Sequence, residues 1–298
     1  MFKDKKTQAD GNICLTAEKN NTEMILRAIE AMRTRVKTEA PLIHCITNPI
    51  SIHDCANVVL AAGGRPMMAE HPAEVAEITV TAGALALNLG NITDARRESI
   101  LIAEKAAMAE GIPVILDMVG IGCSAFRRAV VMKFLEQKIP GKPLILKGNM
   151  SELKALAGES GGVSGVDVRP EDMLSESNQS EGVRLAKDVA RTYGAVVLAS
   201  GKTDLVTDGE RVFLVDNGSE MMGRITGTGC MLNVLTGTYL SAAEPLLAAA
   251  AACVILGISG EIGAENCQGT GSFQVMFQDA LFSMDEKDIR GRIRLREI

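Results

Sequence analysis

The 298-residue chain contains no tryptophan, and only 3% of its residues are aromatic. Aromatic side chains are the platforms on which single-stranded nucleic acids stack, so the composition argues against that class of protein. The net charge is −6, with acidic and basic residues interspersed, and there is no basic stripe to follow a phosphate backbone. We therefore do not expect a nucleic-acid partner.

Histidine is scarce, with three residues, and none of the seven cysteines forms a Cys-x-x-Cys pair. No zinc constellation stands out. An odd number of cysteines scattered through apolar segments is typical of reduced thiols, which predicts a cytoplasmic protein. The first eight residues lack the apolar stretch of a secretory signal. The longest apolar run, 246–258, is shorter than the roughly 20 residues of a membrane span, so we interpret it as a buried helix and expect no membrane partner.

Apolar periodicity predicts an α/β fold. Helical spacing over 23–36 indicates a first amphipathic helix. Short runs that are apolar on both faces, as in parallel strands covered by helices on two sides, then alternate with helical patterns at 42–46, 84–87, 113–116, 143–146 and 195–198. Asp208-Gly209, between two further strand-like runs, predicts an antiparallel hairpin, and long helices are predicted over 231–243 and 245–265.

The chain shows no internal repeat and no dividing linker. Residues 1–20 are polar and without apolar periodicity, so we predict a polar N-terminal extension followed by a single domain over 21–298. Residues 158–178 are rich in glycine, serine and acidic residues and predict a mobile insertion within that domain.

Polar residues follow several of the predicted strands. Because ligands bind beyond the carboxyl ends of parallel strands, these residues are expected to share one crevice. Each alone is equally typical of a turn or a cap, but five on one edge predict a site: Asn48, Asn88, Asp117, Lys147 and Ser200.

The sequence Gly227-Thr228-Gly229-Cys230 opens a predicted helix. Glycines leave backbone N–H groups free to approach an anion, and the positive end of the helix points to the same place. A cysteine there lies in an electropositive environment, which suits phosphoryl transfer. The alternative is a tight connection with a buried cysteine.

Phosphoryl transfer also needs Mg²⁺ and cationic donors to the phosphates. Asp117 at a strand end and Glu152 at a helix start could hold Mg²⁺ through water, and Lys147 could neutralise a phosphate. The alternative for Glu152 is a helix cap, because Asn149 precedes it by three residues.

Taken together, these segments resemble the hydroxyethylthiazole kinases over residues 40–283. The order is the same, and a cysteine in the Gly-x-Gly-Cys position separates this family from most ribokinase-like kinases, which carry aspartate there. The segments that carry the resemblance are His-Cys-Ile-Thr-Asn at 44–48, Ala-Ala-Gly-Gly-Arg-Pro-Met-Met-Ala at 61–69, Ala-Leu-Asn-Leu-Gly at 86–90, Pro-Val-Ile-Leu-Asp at 113–117, Lys-Gly-Asn-Met-Ser-Glu at 147–152, Gly-Thr-Gly-Cys at 227–230 and Gly-Ser-Phe-Gln at 271–274.

The resemblance implies a ribokinase-like three-layer αβα sandwich with a mostly parallel central sheet. It also implies a homotrimer with active sites near subunit interfaces, and phosphorylation of 4-methyl-5-(2-hydroxyethyl)thiazole by Mg²⁺ and ATP in thiamine salvage. The implied roles are Cys230 facing the acceptor hydroxyl; Met68, Gly227 and Asn48 at the substrate; Lys147, Ser200, Thr228 and Gly229 at ATP; and Asp117 and Glu152 at the metal.

Three positions depart from the family pattern. Met118 and Thr270 stand where the family usually has proline, and Lys147 replaces a bidentate arginine by a point charge. Two other functions stay open: a kinase for another small alcohol, such as a hydroxymethylpyrimidine or a sugar, and a nucleotide-binding sensor without catalysis. A dinucleotide-binding oxidoreductase is disfavoured because the glycine turn comes late in the chain.

Overall fold

The computed structural model describes the backbone of residues 6–158 and 178–298, and the side chains of 23–158 and 178–298. Residues 159–177 of the predicted mobile insertion lie outside the described residues, as do residues 1–5 of the predicted extension.

The described strands form one nine-stranded sheet in the order β2-β1-β3-β4-β5-β6-β7-β8-β9. Strands β1 to β6 pair in parallel, whereas β7, β8 and β9 are added antiparallel. The five predicted parallel strands and the hairpin are confirmed. The strands are β1 (Leu42–Ile46), β2 (Arg65–Met67), β3 (Ala84–Asn88), β4 (Val114–Asp117), β5 (Leu144–Gly148), β6 (Val196–Ala199), β7 (Asp204–Thr207), β8 (Val212–Val215) and β9 (Leu295–Glu297).

The helices alternate with the parallel strands and then follow one another after the hairpin. A 3₁₀ helix, Glu220–Arg224, precedes α8. The α-helices are α1 (Lys6–Glu39), α2 (Ile52–Ala62), α3 (Val75–Thr79), α4 (Asp94–Glu110), α5 (Ala125–Gln137), α6 (Met150–Leu156), α7 (Gln179–Tyr193), α8 (Thr228–Leu240), α9 (Pro245–Asn266), α10 (Thr270–Ser283) and α11 (Glu286–Arg292).

Helix α1 is much longer than the predicted 23–36. It begins at Lys6, so residues 6–20 continue a helix instead of forming an irregular extension. The first half of α1 is polar and lacks an apolar stripe, and apolar periodicity therefore could not reveal it.

Side chains alternate between the two faces of the sheet, as the pleat requires. Ala86 and Ile115 point to a core shared with α1, α2, α8, α9 and α10. Leu87 and Leu116 point to the opposite core, shared with α4, α5, α6 and α7. The result is a three-layer αβα sandwich with a mostly parallel sheet, as predicted.

Helix α9 is 22 residues long, and its most apolar stretch has a mean hydropathy of 2.0, enough by length and composition to cross a membrane. The expectation that this segment is too short was wrong, because small residues carry the helix beyond 258. However, 83% of that stretch is buried inside the protein. The interpretation of α9 as a core helix is confirmed.

Candidate active site

Three neighbouring strands end in polar residues that lie side by side. The register pairs Asn88 of β3 with Asp117 of β4, and Asp117 with Lys147 of β5. The Asp117 Oδ2 atom accepts hydrogen bonds from Lys147 Nζ at 2.8 Å and from Asn88 Nδ2 at 3.2 Å. All three side chains are buried. As predicted, these three strand-end residues therefore share one edge of the sheet.

Lys147 and Asp117 form a buried ion pair. Burial raises the pKa of Asp117, against the opposing effect of the Lys147 ammonium and its hydrogen bond. Burial alone would lower the pKa of Lys147, but the Asp117 carboxylate outweighs it, and the pKa of Lys147 is raised. We infer that Lys147 stays charged, because an ammonium 2.8 Å from a carboxylate is stabilised in its charged form.

The glycine turn at the start of α8 has the geometry that the sequence predicted. Gly227 has φ of +88°, and a Cβ there would lie 2.9 Å from Ser51 Cβ, so both conformation and space require glycine. Helix α8 begins at Thr228, and a Cβ on Gly229 would lie 3.8 Å from Lys147 Nζ. The first turn of α8, whose N–H groups have no partners within the helix, thus begins close to the end of β5.

Cys230, in the first turn of α8, connects this helix to the strand ends. Its Sγ lies 3.1 Å from Asn48 Nδ2 and 3.4 Å from Asn88 Nδ2. The side chain is partly buried, in contrast to the fully buried Cys55 and Cys253. Cys230 is thus a partly buried cysteine that has two polar contacts and also packs against the apolar core.

Glu152 lies at the third position of α6 and completes a capping box with Asn149. Its Oε2 accepts from the Asn149 N–H at 2.8 Å, and Oε1 accepts from the Gly120 N–H at 2.7 Å. The capping role considered from the sequence is thus confirmed. Burial and the nearby Asp117 carboxylate raise the pKa of Glu152 to about 7, although the two N–H groups act in the opposite direction.

A cleft of about 1060 Å³ opens beside the N-terminus of α8. Of the four residues predicted to contact ATP, three line the cleft: Ser200, Thr228 and Gly229. Lys147 instead lies beneath Gly229, in its ion pair. Ser200 is held by its N–H group, which donates to Gly148 O at 2.8 Å.

Two of the residues predicted at the substrate belong to the same end of the sheet. Asn48 follows β1, and Gly227 packs on Ser51 of the adjoining turn. Met68 directly follows β2, the neighbour of β1, and packs partly buried against the core cluster that Cys230 also borders.

The carboxylates can be tested for their fit to Mg²⁺. Among the described residues, no cluster of three or more His, Cys, Asp or Glu side chains could hold a metal ion. Asp117 and Glu152 already accept hydrogen bonds from N–H groups. Because Mg²⁺ keeps much of its hydration shell and takes other oxygens from phosphates, two buried carboxylates that already accept hydrogen bonds could contact it only through water.

Sequence reasoning missed two residues that shape the site. Asn88 was placed at the edge but given no role, although it contacts both Asp117 and Cys230. Arg96 is almost fully buried, and its Nη1 donates to Thr47 O at 2.9 Å, which supports the turn that carries Asn48. The strand-end pattern signals Asn88, whereas nothing in the sequence signals Arg96.

Comparison with known proteins places this geometry in a family. The model of the "Hydroxyethylthiazole kinase family" matches residues 33–287. Hydroxyethylthiazole kinase 2 of Clostridium botulinum (strain Okra / Type B1) is 44% identical over 264 residues, 89% of this chain and 98% of the relative. Hydroxyethylthiazole kinase of Methanoculleus marisnigri is 40% identical over 284 residues, 95% of this chain and 98% of the relative.

The chain belongs to the hydroxyethylthiazole kinase family. The solved structure of a hydroxyethylthiazole kinase protein from Pyrococcus horikoshii OT3 superposes with a TM-score of 0.81 at 35% identity, covering 91% of this chain and 99% of that one. A pyridoxal kinase from Staphylococcus aureus, at 14% identity and a TM-score of 0.57 over 86% of this chain and 98% of that one, shares the fold alone. The protein is thus a kinase with a ribokinase-like fold.

Within this family, the departures noted from the sequence have local structural correlates. The Met118 N–H donates to Lys147 O at 2.8 Å, a hydrogen bond that a proline at 118 could not make. Thr270 is the first residue of α10, where proline would fit without loss of a helical hydrogen bond. In this chain, a backbone hydrogen bond that proline would exclude therefore links the residue after β4 to Lys147 of β5, the residue that forms the ion pair.

Proposed function

We propose that this protein transfers a phosphoryl group from ATP to the hydroxyl of 4-methyl-5-(2-hydroxyethyl)thiazole, in thiamine salvage. The observation that carries the proposal is the position of Cys230. This partly buried residue lies in the first turn of α8, beside the N–H groups of that turn and directly after Gly229, which lines the cleft. An acceptor alcohol at Cys230 would thus face a phosphate at the helix N-terminus.

For the nucleotide, we propose the cleft beside α8. Ser200, Thr228 and Gly229 line it, and the N–H groups of the first turn of α8 would bind phosphate oxygens. Lys147 lies below Gly229, so its positive charge would act on the phosphates from beneath the turn. The Asp117 carboxylate offsets part of that charge.

For the metal, we propose that Asp117 and Glu152 hold Mg²⁺ through water. When bound, Mg²⁺ neutralises charge on the phosphates. Asp117 is oriented by Lys147 and Asn88, and Glu152 by the N–H groups of Gly120 and Asn149, so neither carboxylate has to reorganise during the reaction.

At the alcohol, we propose that Met68, Gly227 and Asn48 bind the thiazole and that Cys230 positions the hydroxyl. The transition state of phosphoryl transfer is usually loose, so positioning and charge stabilisation matter more than a strong base. Cys230 then acts as a weak base, and no phospho-enzyme is formed.

A coupled ADP-release assay with Mg·ATP and the thiazole alcohol tests this function. We expect turnover with the thiazole and much less with a hydroxymethylpyrimidine or a sugar. Preference for one of those alcohols would assign the protein to a different kinase activity. Nucleotide binding without phosphorylation of any of them would make it a sensor.

We further propose a cytoplasmic homotrimer built from the domain of residues 21–298, with sites near subunit interfaces. Light scattering coupled to size-exclusion chromatography would report three times the 31.6 kDa chain mass. A monomer with full activity would contradict a shared site.

A further inference from the structure

The orientation of the Asn48 carboxamide is fixed by two backbone N–H groups, because only the carboxamide oxygen can accept their hydrogen bonds. Oδ1 accepts hydrogen bonds from the backbone N–H groups of Ile50 and Ser51, each at 3.1 Å. The amide nitrogen must occupy the opposite position, and it does: Nδ2 faces the sulfur of Cys230. Asn48 therefore donates an N–H to this sulfur.

Asn88 is oriented in the same way from the neighbouring strand. Its Oδ1 accepts from the Gly90 N–H at 2.7 Å. Its Nδ2 consequently faces Asp117 Oδ2 and Cys230 Sγ, at 3.2 and 3.4 Å. An amide nitrogen carries two hydrogens, so Asn88 can serve both acceptors at once.

Two N–H groups, each locked by a backbone turn, thus converge on one sulfur. Because an amide N–H can only donate, the sulfur is the acceptor in both contacts, and the two turns together fix its position.

We propose that Asn48 and Asn88 are positioning residues for Cys230: they hold its sulfur as a hydrogen-bond acceptor that takes the proton of the acceptor alcohol. This inference rests on the proposed function. As the alcohol oxygen bonds to the γ-phosphorus, the bond from phosphorus to the β,γ-bridging oxygen breaks and its electron pair leaves with ADP. The alcohol O–H bond breaks late, and its proton moves to the sulfur of Cys230 as the S–H proton leaves to solvent.

The alkylation rate of Cys230 by iodoacetamide, followed peptide by peptide by mass spectrometry without substrate, tests the two amides directly. Asn48→Asp keeps an oxygen for the Ile50 and Ser51 N–H groups but replaces the donor to sulfur by a carboxylate. Asn88→Ser keeps a hydroxyl for the Gly90 N–H, as serine turns do, and removes the second donor. Cys267, which is partly exposed, is the internal reference.

Asn91→Asp is the matched control, because Asn91 is exposed on the loop after β3 and receives the same added charge. We expect the Cys230 rate, relative to Cys267, to fall about tenfold in Asn48→Asp and severalfold in Asn88→Ser, with little change in Asn91→Asp. Equal relative rates in wild type, Asn48→Asp and Asn88→Ser would overturn the proposal.

This readout is independent of the proposed function. If wild type shows the expected alkylation pattern but no ADP release with the thiazole alcohol, the function is wrong and the amide contacts stand. If ADP release occurs and the two variants alkylate like wild type, the function stands and the role of the amides is wrong. If one of the two variants does not fold, the other still tests the proposal, because each variant removes one of the two donors independently.

Discussion

Lys147 and Asp117 form a buried ion pair at the ends of adjacent parallel strands, with Nζ 2.8 Å from Oδ2 and both side chains 3% exposed. Removing one partner of such a pair leaves a charge with no compensation in the interior. The pair is therefore structural as well as a candidate part of the phosphate site.

Lys147→Met is expected to lower the free energy of unfolding by about 3 kcal/mol, because Asp117 is left buried beside Asn88 alone. The double variant Lys147→Met/Asp117→Asn should recover part of that stability but none of the activity. Urea denaturation and ADP release measure the two effects. A single variant as stable as wild type would show that Asp117 is not charged in the fold.

Cys230→Asp is expected to retain or raise turnover, and Cys230→Ser to retain a measurable fraction, reduced about 100-fold. A carboxylate can accept the two amide N–H groups that now donate to the sulfur at 3.1 and 3.4 Å, whereas a neutral hydroxyl is a weaker base. Steady-state ADP release gives the rates, and calorimetry gives thiazole binding. Loss of turnover in both variants with normal binding would refute positioning by this side chain.

Glu152→Gln is expected to raise the Mg²⁺ concentration needed for half-maximal rate by about tenfold or more, because the carboxylate that would hold the hydrated ion loses its charge. The control is Asp288→Asn, which alters the equivalent residue of another capping box, in α11. An unchanged Mg²⁺ dependence in Glu152→Gln would restrict Glu152 to its capping role.

Gly227→Ala is expected to lower both stability, by about 1–2 kcal/mol, and turnover. The substitution forces a side chain into a φ of +88° and against Ser51, which displaces the start of α8. Gly271→Ala is the control, since a Cβ there meets nothing within 4 Å, and alanine should stabilise α10 slightly. Thermal unfolding and ADP release distinguish the two variants.

Glu104, on α4, is fully buried, and burial raises its pKa to about 9. Its Oε1 has no hydrogen-bond partner within the part of the chain that the structure describes. Between the unfolded value of 4.5 and about 9, the unfolded state binds fewer protons than the folded state, so this group lowers stability as pH rises.

Glu104→Gln should therefore be close to neutral near pH 4.5 and stabilising by on the order of 5 kcal/mol at pH 8. Urea denaturation at the two pH values measures the difference. A stability difference that does not change with pH would mean that Glu104 is ionised in the folded protein.

The parallel strands were predictable because burial on both faces leaves continuous apolar runs, as in β3 and β5. Strands β2 and β9 were not, since each has three residues and is only partly buried. The first half of α1 was not predictable either, because it is polar and carries no periodic signal.

For the site, the rule that ligands bind at the carboxyl ends of parallel strands predicted that Asn88, Asp117 and Lys147 share one edge of the sheet. It could not reveal that Lys147 is paired with Asp117, because register and side-chain direction decide that contact. Nor could it reveal the contact between Asn88 and Cys230, which are 142 residues apart and meet only when α8 packs on β3.

Helix α9 packs between α8 and α10 and also touches α1, which precedes it by more than 200 residues in the chain. During synthesis, its 22 mostly apolar residues leave the ribosome before α10 and α11 exist to cover them. At that moment the segment has the length and hydropathy of a signal anchor. Docking onto strands β1 to β8, which are already made, covers this apolar surface, and substitutions that slow docking should lower yield before they lower activity.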